Sequence, residues 1–260
     1  MTAASPSCAI MSGSIMGVRS VFFDFYNTLC CFHPSREERQ SKAWRQFGIE
    51  VPLEAIGRAY VQADHYWTLE NTRRPLQHRS KEEWQSFTAS YEQHLLRAAG
   101  LEVSKEQAEE IHRAYWSQEK GLKLFDDVLP SLAHLKDAGL TLGLISNSDA
   151  DVTPFCRDLG VDSYFSFILS SCNVGCEKPH APIFHLALEK AGVRPEETVH
   201  VGDQYHADVV GARAVGITPL LLDRFDLMAD LNDCHRIRGL GELLGYLGLA
   251  DPLSLRKGKG

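Results

Sequence analysis

The sequence has no excess of basic residues, and this absence limits the partners to be expected. Its 27 lysines and arginines are outnumbered by 34 aspartates and glutamates, for a formal net charge of −7. Nucleic acids and anionic membrane surfaces are bound through basic faces. We therefore expect neither as a general partner, whereas a small anionic substrate needs only a local cationic pocket.

Long apolar runs and an export signal are also missing. No run approaches the roughly 20 apolar residues that a membrane-spanning helix needs, and residues 1–17 lack the basic start and apolar stretch of a signal peptide. The seven cysteines are an odd number, and Cys172 and Cys176 have no second pair of ligands at zinc-site spacing. We expect a cytoplasmic protein with reduced thiols and no zinc site.

The sequence does contain short apolar runs separated by helical patterns. The runs at 21–23, 140–145, 164–169, 198–201 and 217–222 predict strands. Helical patterns at 126–138, 149–159, 180–191 and 205–215 separate the later runs. Alternation of this kind predicts an α/β fold, a Rossmann-like parallel sheet with helices on both faces.

The stretch at 35–119 differs from the rest of the chain. It is helical in period, rich in polar and aromatic residues, and has no convincing strand. We predict an α/β core at 18–34 and 120–250, a helical cap inserted at 35–119, and flexible tails at 1–17 and 251–260. Pro34 and the Lys120-Gly121 pair are the predicted hinges.

Polar residues follow the predicted strands. Asp24 follows the first strand, Ser146 and Asn147 the second, and Asp203 the fourth, while Lys178 precedes the helix after the third. The carboxyl ends of parallel strands gather the functional groups of such folds. Each residue alone has an ordinary structural explanation, such as a helix cap, but their joint placement predicts an active site.

The order of these motifs resembles the haloacid dehalogenase superfamily. Phe23-Asp24-Phe25-Tyr26-Asn27-Thr28-Leu29 resembles its first motif, Leu144-Ile145-Ser146-Asn147 its second, Glu177-Lys178-Pro179 its third, and the segment from Val201 through Gly202 and Asp203 to Asp208 its fourth. The insertion after the first motif is similar to the helical cap of the family's subgroup I.

The resemblance implies a role for each of these residues. Asp24 would be the nucleophile that forms a covalent intermediate, and Lys178 and Ser146 would stabilise the transferred phosphoryl group. Asn147 belongs to the same catalytic set. Mg²⁺ would be held by Asp24, by the backbone carbonyl of Tyr26, and by Asp203 and Asp208, directly or through water.

Tyr26 departs from the phosphatases of this superfamily, which usually carry a second aspartate there as a general acid. General acid catalysis of this kind typically raises the reaction rate by about 10²–10⁴-fold. Tyrosine is what the haloacid dehalogenases carry, because a halide leaves without a proton. Tyr26 is either a packing residue, the interpretation we favour, or a weak general acid.

The first motif thus favours a dehalogenase and the fourth a phosphatase. Three clustered carboxylates with one lysine call for a divalent cation, so we expect a Mg²⁺-dependent phosphohydrolase of small phosphoesters or acyl phosphates. A 2-haloacid dehalogenase and a non-catalytic ligand-binding protein are the alternatives. Arg58, in the predicted cap, is a candidate for holding a substrate carboxylate, although an arginine on the wet face of a helix is more common.

Overall fold

The computed structural model describes residues 17–74 and 78–249. Apart from Gly17, both predicted tails lie outside these residues. The strands are β1 (Ser20–Phe23), β2 (Cys30–His33), β3 (Gly121–Leu124), β4 (Thr141–Ser146), β5 (Phe167–Ser170), β6 (Thr198–Gly202), β7 (Thr218–Leu222) and β8 (His235–Ile237). The α-helices are α1 (Arg36–Arg45), α2 (Leu53–Arg73), α3 (Lys81–Ala98), α4 (Lys105–Trp116), α5 (Val128–Asp137), α6 (Thr153–Asp158), α7 (Ser171–Val174), α8 (Ala181–Ala191), α9 (Gly211–Ala214) and α10 (Leu240–Tyr246).

One sheet contains six of the strands in the order β5-β4-β1-β6-β7-β8, and every neighbouring pair in it is parallel. Successive side chains of β1 point to opposite faces, so Val21 and Phe23 pack into one buried cluster and Phe22 into another. Burial on both faces explains the nearly continuous apolar runs. The predicted parallel α/β fold is confirmed, and its five predicted strands are β1, β4, β5, β6 and β7.

Two helical predictions need correction. The helix predicted at 149–159 covers only Thr153–Asp158, because the carboxylate of Asp151 accepts a hydrogen bond from the Thr153 amide at 2.9 Å in a local turn that competes with helix. The helix predicted at 205–215 begins with a π-helical turn, Tyr205–Val210, before α9. Such turns are rare and often lie at functional sites.

The strands β2 and β3 form a separate antiparallel ribbon in which His33 pairs with Gly121. The helices α1–α4 lie between these two strands in the chain, with no strand among the described residues there. We call α1–α4 the cap helices. The ribbon was missed because each strand is only four residues long and the two are far apart in sequence. The domain bounds at 18–34, 35–119 and 120–250 stay a prediction.

Three of the cap helices, α1, α3 and α4, begin at serines whose side chains cap them. Ser35 accepts a hydrogen bond from the amide of Glu38 at 3.1 Å, and the Glu38 carboxylate accepts one from the Ser35 amide at 2.8 Å. Ser80 and Glu83 form the same reciprocal pair at the start of α3. These boxes satisfy amides that the first helical turn leaves without partners.

Neither membrane spans nor disulfides occur in the part of the chain that the structure describes. No helix in it is both long and apolar enough to cross a bilayer. Its cysteines are free thiols: Cys30, Cys31, Cys156, Cys172, Cys176 and Cys234.

A carboxylate lies in the interior of the cap helices. Glu92 is 1% exposed, and its Oε1 accepts hydrogen bonds from Gln40 Nε2 at 2.7 Å and from Trp44 Nε1 at 2.8 Å. Burial raises the pKa of Glu92 from 4.5 to about 7, although both hydrogen bonds oppose the shift. His112 lies 3.9 Å from Glu92 Oε2, and burial lowers its own pKa to about 4, so it stays neutral there.

We expect Glu92→Gln to stabilise the protein at pH 8 by about 3 kcal/mol and to change little at pH 4.5, because a glutamine keeps the accepting oxygen without the charge. A raised pKa makes ionisation costly in the folded state, so wild-type stability is complete below about pH 4.5 and falls as the pH rises through about 7. Urea unfolding at several pH values would show this. Glu110→Gln, on the exposed side of α4, is the control, and an unchanged pH profile in Glu92→Gln would refute the expectation.

Candidate active site

The site lies where three neighbouring strands of the sheet end. Asp24 directly follows β1, Ser146 is the last residue of β4, and Asp203 directly follows β6. Since β4 and β6 flank β1 in parallel, these carboxyl ends meet at one edge of the sheet. The backbone amide of Asp24 donates to the carbonyl of Val201 at 2.9 Å and ties the first motif to the fourth.

Lys178 is the centre of this cluster. Its Nζ donates to Asp24 Oδ1 at 2.7 Å and to Asp208 Oδ1 at 2.6 Å, and the residue is only 2% exposed. Burial lowers the pKa of Lys178, but the charges of Asp208 and Asp24 outweigh it and raise that pKa above its ordinary value. The ammonium group is therefore charged and shared between the two carboxylates.

Asp208 is held by several donors. Besides Lys178, His200 Nε2 hydrogen bonds to Asp208 Oδ1 at 2.9 Å and the Gln204 amide donates to Oδ2 at 3.0 Å. Burial raises its pKa, but the Lys178 charge and the His200 hydrogen bond lower it below the ordinary value. The predicted role of Asp208 in anchoring the metal, directly or through water, stays a prediction.

Gly202 has no room for a side chain. A Cβ at this position would lie 2.1 Å from the Cγ of Asp208. Glycine before Asp203 is therefore required so that Asp208 can reach Lys178.

The positive charge near Asp24 and Asp203 does not offset the effect of burial on these two carboxylates. Burial and the Asp208 charge raise the pKa of Asp24 to about 6 against the opposing effect of Lys178. Burial and the charges of Asp24 and Asp208 raise the pKa of Asp203 well above its ordinary value. Carboxylates in this situation either gain a proton or bind a cation.

The donor set of the site fits Mg²⁺. The described residues contain no group of three His, Cys, Asp or Glu side chains that could hold a metal ion. Mg²⁺ keeps several waters and needs only one or two carboxylates from a protein. Asp24 and Asp203 supply two carboxylates. The third predicted ligand is the backbone carbonyl of Tyr26, which is not a side chain and so adds to the two carboxylates.

The second and third motifs are joined by Asn147. Its Oδ1 accepts from the Lys178 amide at 2.8 Å and its Nδ2 donates to the Lys178 carbonyl at 2.7 Å. Asn147 therefore fixes the backbone that carries Lys178. The hydroxyl of Ser146 is buried and has no hydrogen-bond partner among the described residues, as expected for a group that binds an absent substrate oxygen.

Tyr26 is packed among aromatic rings. Its ring stacks on Phe32 at a centroid distance of 5.5 Å and meets the edge of Phe25 at 4.9 Å. Burial, followed by the effects of neighbouring acidic groups, raises the pKa of Tyr26 above its ordinary value. A phenol with a raised pKa is a poorer proton donor, which favours the packing interpretation.

Two contributions to the site were not anticipated from the sequence. Asn27 has a φ of 58° and donates its Nδ2 to Asp203 Oδ2 at 3.2 Å. Its place inside the first motif was a signal, since asparagine tolerates this left-handed conformation. His200 was expected only to be a packed or hydrogen-bonded strand residue. In the structure its hydrogen-bond partner is Asp208.

Two cavities lie between the cap side and the core. The larger, which we call the α2 cavity, has a volume of about 820 Å³ and lies between the cap helices α2 and α3 and the core segments 203–206 and 222–231. Asn27 and Asp203 are part of its wall. The smaller, the α3 cavity, has about 290 Å³ and is lined by Arg79, Ser80, Lys81 and Trp84 on the cap side and Ser148, Asp149, Ser171 and Cys172 on the core side.

Arg58 does not line either cavity. It is largely exposed and pairs with Glu54 on the same helix. The hypothesis that Arg58 holds a substrate carboxylate is not supported. The residue lies on the solvent-exposed face of its helix.

Comparison with known proteins places this architecture among hydrolases. A model of the family "haloacid dehalogenase-like hydrolase" matches residues 18–216. Haloacid dehalogenase-like hydrolase domain-containing protein 3 of Mus musculus is 30% identical over 212 residues, 79% of this chain and 82% of the relative. The phosphoglycolate phosphatase of Yersinia pestis is 36% identical over 113 residues, 42% of this chain and 48% of that protein. The structure of a 2-haloacid dehalogenase from Pseudomonas syringae, 26% identical with a TM-score of 0.54, aligns with 89% of this chain and 98% of its own.

Proposed function

We propose a function from one premise: the chain belongs to the haloacid dehalogenase-like hydrolase family and is therefore a hydrolase. Within that family we propose a Mg²⁺-dependent phosphohydrolase of small phosphorylated compounds in the cytoplasm. The observation that supports it most is the charge at the strand ends. Asp24, Asp203 and Asp208 are three buried or half-buried acids, while Lys178 supplies a single positive charge. A dehalogenase that works without a metal has no need of Asp203.

In the proposed reaction a carboxylate oxygen of Asp24 attacks the phosphorus of the substrate, and the bond to the leaving oxygen breaks with its electron pair. A water molecule then attacks the aspartyl-phosphate at phosphorus, which releases inorganic phosphate and restores the carboxylate. Lys178 screens the repulsion between Asp24 and the phosphate, and Ser146 donates its hydroxyl to a phosphoryl oxygen. Mg²⁺ held by Asp24, Asp203 and the carbonyl of Tyr26 would supply Lewis-acid stabilisation of the phosphoryl charge.

Leaving groups that need no general acid suit this site best. The packing of Tyr26 leaves the departing oxygen to take its proton from solvent. We therefore expect acyl, enol and aryl phosphates to react faster than alkyl phosphates, because their anions leave more readily.

We expect Tyr26→Phe to retain kcat/KM for an aryl phosphate within about threefold, since the stacking on Phe32 is kept and only the hydroxyl is lost. Steady-state kinetics with phenyl phosphate across pH 5.5–8.5 would measure it. Wild type and Phe32→Leu, which removes the stacking but keeps the hydroxyl, are the comparisons. A loss of about 100-fold in Tyr26→Phe would instead make Tyr26 the acid.

Asp203→Asn should raise the unfolding free energy in EDTA at pH 7.5 by about 1–2 kcal/mol and abolish the further stabilisation that Mg²⁺ produces in wild type. The raised pKa of Asp203 makes its charge costly without a cation, and the amide oxygen can still accept from Asn27. Thermal and urea unfolding with and without Mg²⁺ would show both effects. Asp126→Asn, an exposed acid, should keep the full Mg²⁺ response; the same response in Asp203→Asn would exclude that residue as a ligand.

A 2-haloacid dehalogenase is the second candidate, favoured by Tyr26 and by the similarity to the enzyme of Pseudomonas syringae. The deciding experiment compares phenyl phosphate with 2-chloropropionate, each with Mg²⁺ and with EDTA. Mg²⁺-dependent phosphate release supports the phosphohydrolase, and halide release that survives EDTA supports the dehalogenase. Binding of a phosphate analogue with no turnover of either substrate would indicate a non-catalytic protein.

A further inference from the structure

The α2 cavity is far larger than a two- or three-carbon leaving group. Its volume of about 820 Å³ lies in the range typical of sites for drug-sized ligands, about 300–1,000 Å³. Its wall includes Asp203 and Asn27, which contact each other. The cavity therefore reaches the proposed metal ligand Asp203, on the side of β6 and β7.

Much of the wall is apolar. Val61 and Leu69 contribute from α2, and Leu227, Met228 and Leu231 from the segment after β7. Two wall residues are unusually accessible for their type, since Phe225 is 65% exposed and Leu69 is 38% exposed. An apolar ligand in the cavity would remove this surface from water, which is favourable.

The arginines of the wall already have acidic partners. Arg36 Nη1 lies 2.8 Å from Asp64 Oδ2, and Arg97 Nε lies 2.9 Å from Glu102 Oε1. Arg224 forms two contacts of 3.0 Å with the two oxygens of Asp127. A substrate carboxylate would have to compete with these pairs, and a desolvated carboxylate without a partner is costly. The cavity is thus suited to an uncharged group.

We propose that the α2 cavity is the leaving-group subsite and that the substrates are phosphomonoesters whose leaving group is bulky, uncharged and largely apolar. This inference rests on the proposed phosphohydrolase function. It separates the chain from enzymes for small carboxylated phosphates, such as phosphoglycolate, which would need a free cationic partner. The α3 cavity, with Arg79 and Lys81, is the competing place for such an acid.

The test compares 1-naphthyl phosphate with phenyl phosphate, because the two phenols leave as anions of similar basicity and differ mainly in apolar size. The full chain is assayed with Mg²⁺, with 2-phosphoglycolate and O-phosphoserine in parallel. We expect kcat/KM for the naphthyl ester to exceed that for the phenyl ester by about tenfold, and both to exceed the carboxylated esters. Asp24→Asn should bind 1-naphthyl phosphate more tightly than phenyl phosphate by a similar factor.

A matched pair of variants locates the effect. Leu69→Trp fills the α2 cavity and should lower kcat/KM for the naphthyl ester about tenfold while the phenyl ester changes less than about threefold. Leu53→Trp, at an exposed leucine of the same helix that does not line the cavity, should alter neither.

The failures are distinguishable. Mg²⁺-dependent hydrolysis of the phenyl ester with no preference for the naphthyl ester, or with a preference for the carboxylated esters, would overturn the subsite alone. An equal effect of Leu69→Trp and Leu53→Trp would do the same. No phosphate release from any ester in the presence of Mg²⁺ would overturn the phosphohydrolase and the subsite together.

Discussion

Lys178→Met should lower kcat/KM for phenyl phosphate by about 10³-fold or more and the unfolding free energy by about 3–5 kcal/mol. The ammonium group lies between Asp24 and Asp208 at 2.7 and 2.6 Å, and the side chains of Lys178 and Asp208 are nearly inaccessible to water while that of Asp24 is 12% exposed. Methionine fills a similar volume but leaves two buried carboxylates without their shared cation. Both carboxylates would then take up protons at a higher pH or destabilise the fold.

The two losses are measured separately, by steady-state kinetics in Mg²⁺ and by urea unfolding in EDTA. Lys190→Met is the matched control, because Lys190 lies on the exposed side of α8 and should change the unfolding free energy by less than about 0.5 kcal/mol. Stability in Lys178→Met equal to that of the control would mean that the buried ion pairs do not hold the site together. The difference in unfolding free energy between the variant and wild type should shrink as the pH falls, because the low pKa of Asp208 depends on the Lys178 charge and, without that charge, protonation removes the buried negative charge at a higher pH.

Asp24→Asn should abolish phosphate release, with a loss of about 10⁴-fold or more, because an amide oxygen does not form the acyl-phosphate bond. The fold should survive, since asparagine has the same shape and can still accept from Lys178. We expect the variant to be up to about 2–3 kcal/mol more stable than wild type in EDTA at pH 8. The pKa of Asp24 is raised to about 6, so its ionisation costs folding free energy above that pH.

Intact-protein mass spectrometry after rapid quenching with acid would add a direct observation. Wild type mixed with an excess of phenyl phosphate should show the added mass of one phosphoryl group, and Asp24→Asn should not. Asp158→Asn, an exposed acid on α6, should behave as wild type. Full phosphate release by Asp24→Asn would show that another group is the nucleophile and would remove the basis of the proposed mechanism.

The local pattern of the sequence was sufficient for five of the six strands of the sheet, all but β8, and for placing Asp24, Ser146 and Asp203 at strand ends. Strands buried on both faces must be apolar along their whole length, which is why the runs ending near Asp24, Ser146 and Asp203 could be identified. The parallel topology then places the carboxyl ends of these strands at one edge of the sheet, independent of the conformation of the loops. Membership in the family followed from the residues at those ends.

Tertiary structure alone decided which polar groups pair and what space surrounds them. Periodicity does not show that Asp208 accepts from Lys178 and His200, because those partners lie on different elements. The ribbon of β2 and β3 depends on contacts across the whole insertion, and the α2 cavity exists only where a cap helix faces two core loops. A sequence pattern reports how each segment is solvated, whereas pairing and cavity shape depend on distances between segments that no local pattern encodes.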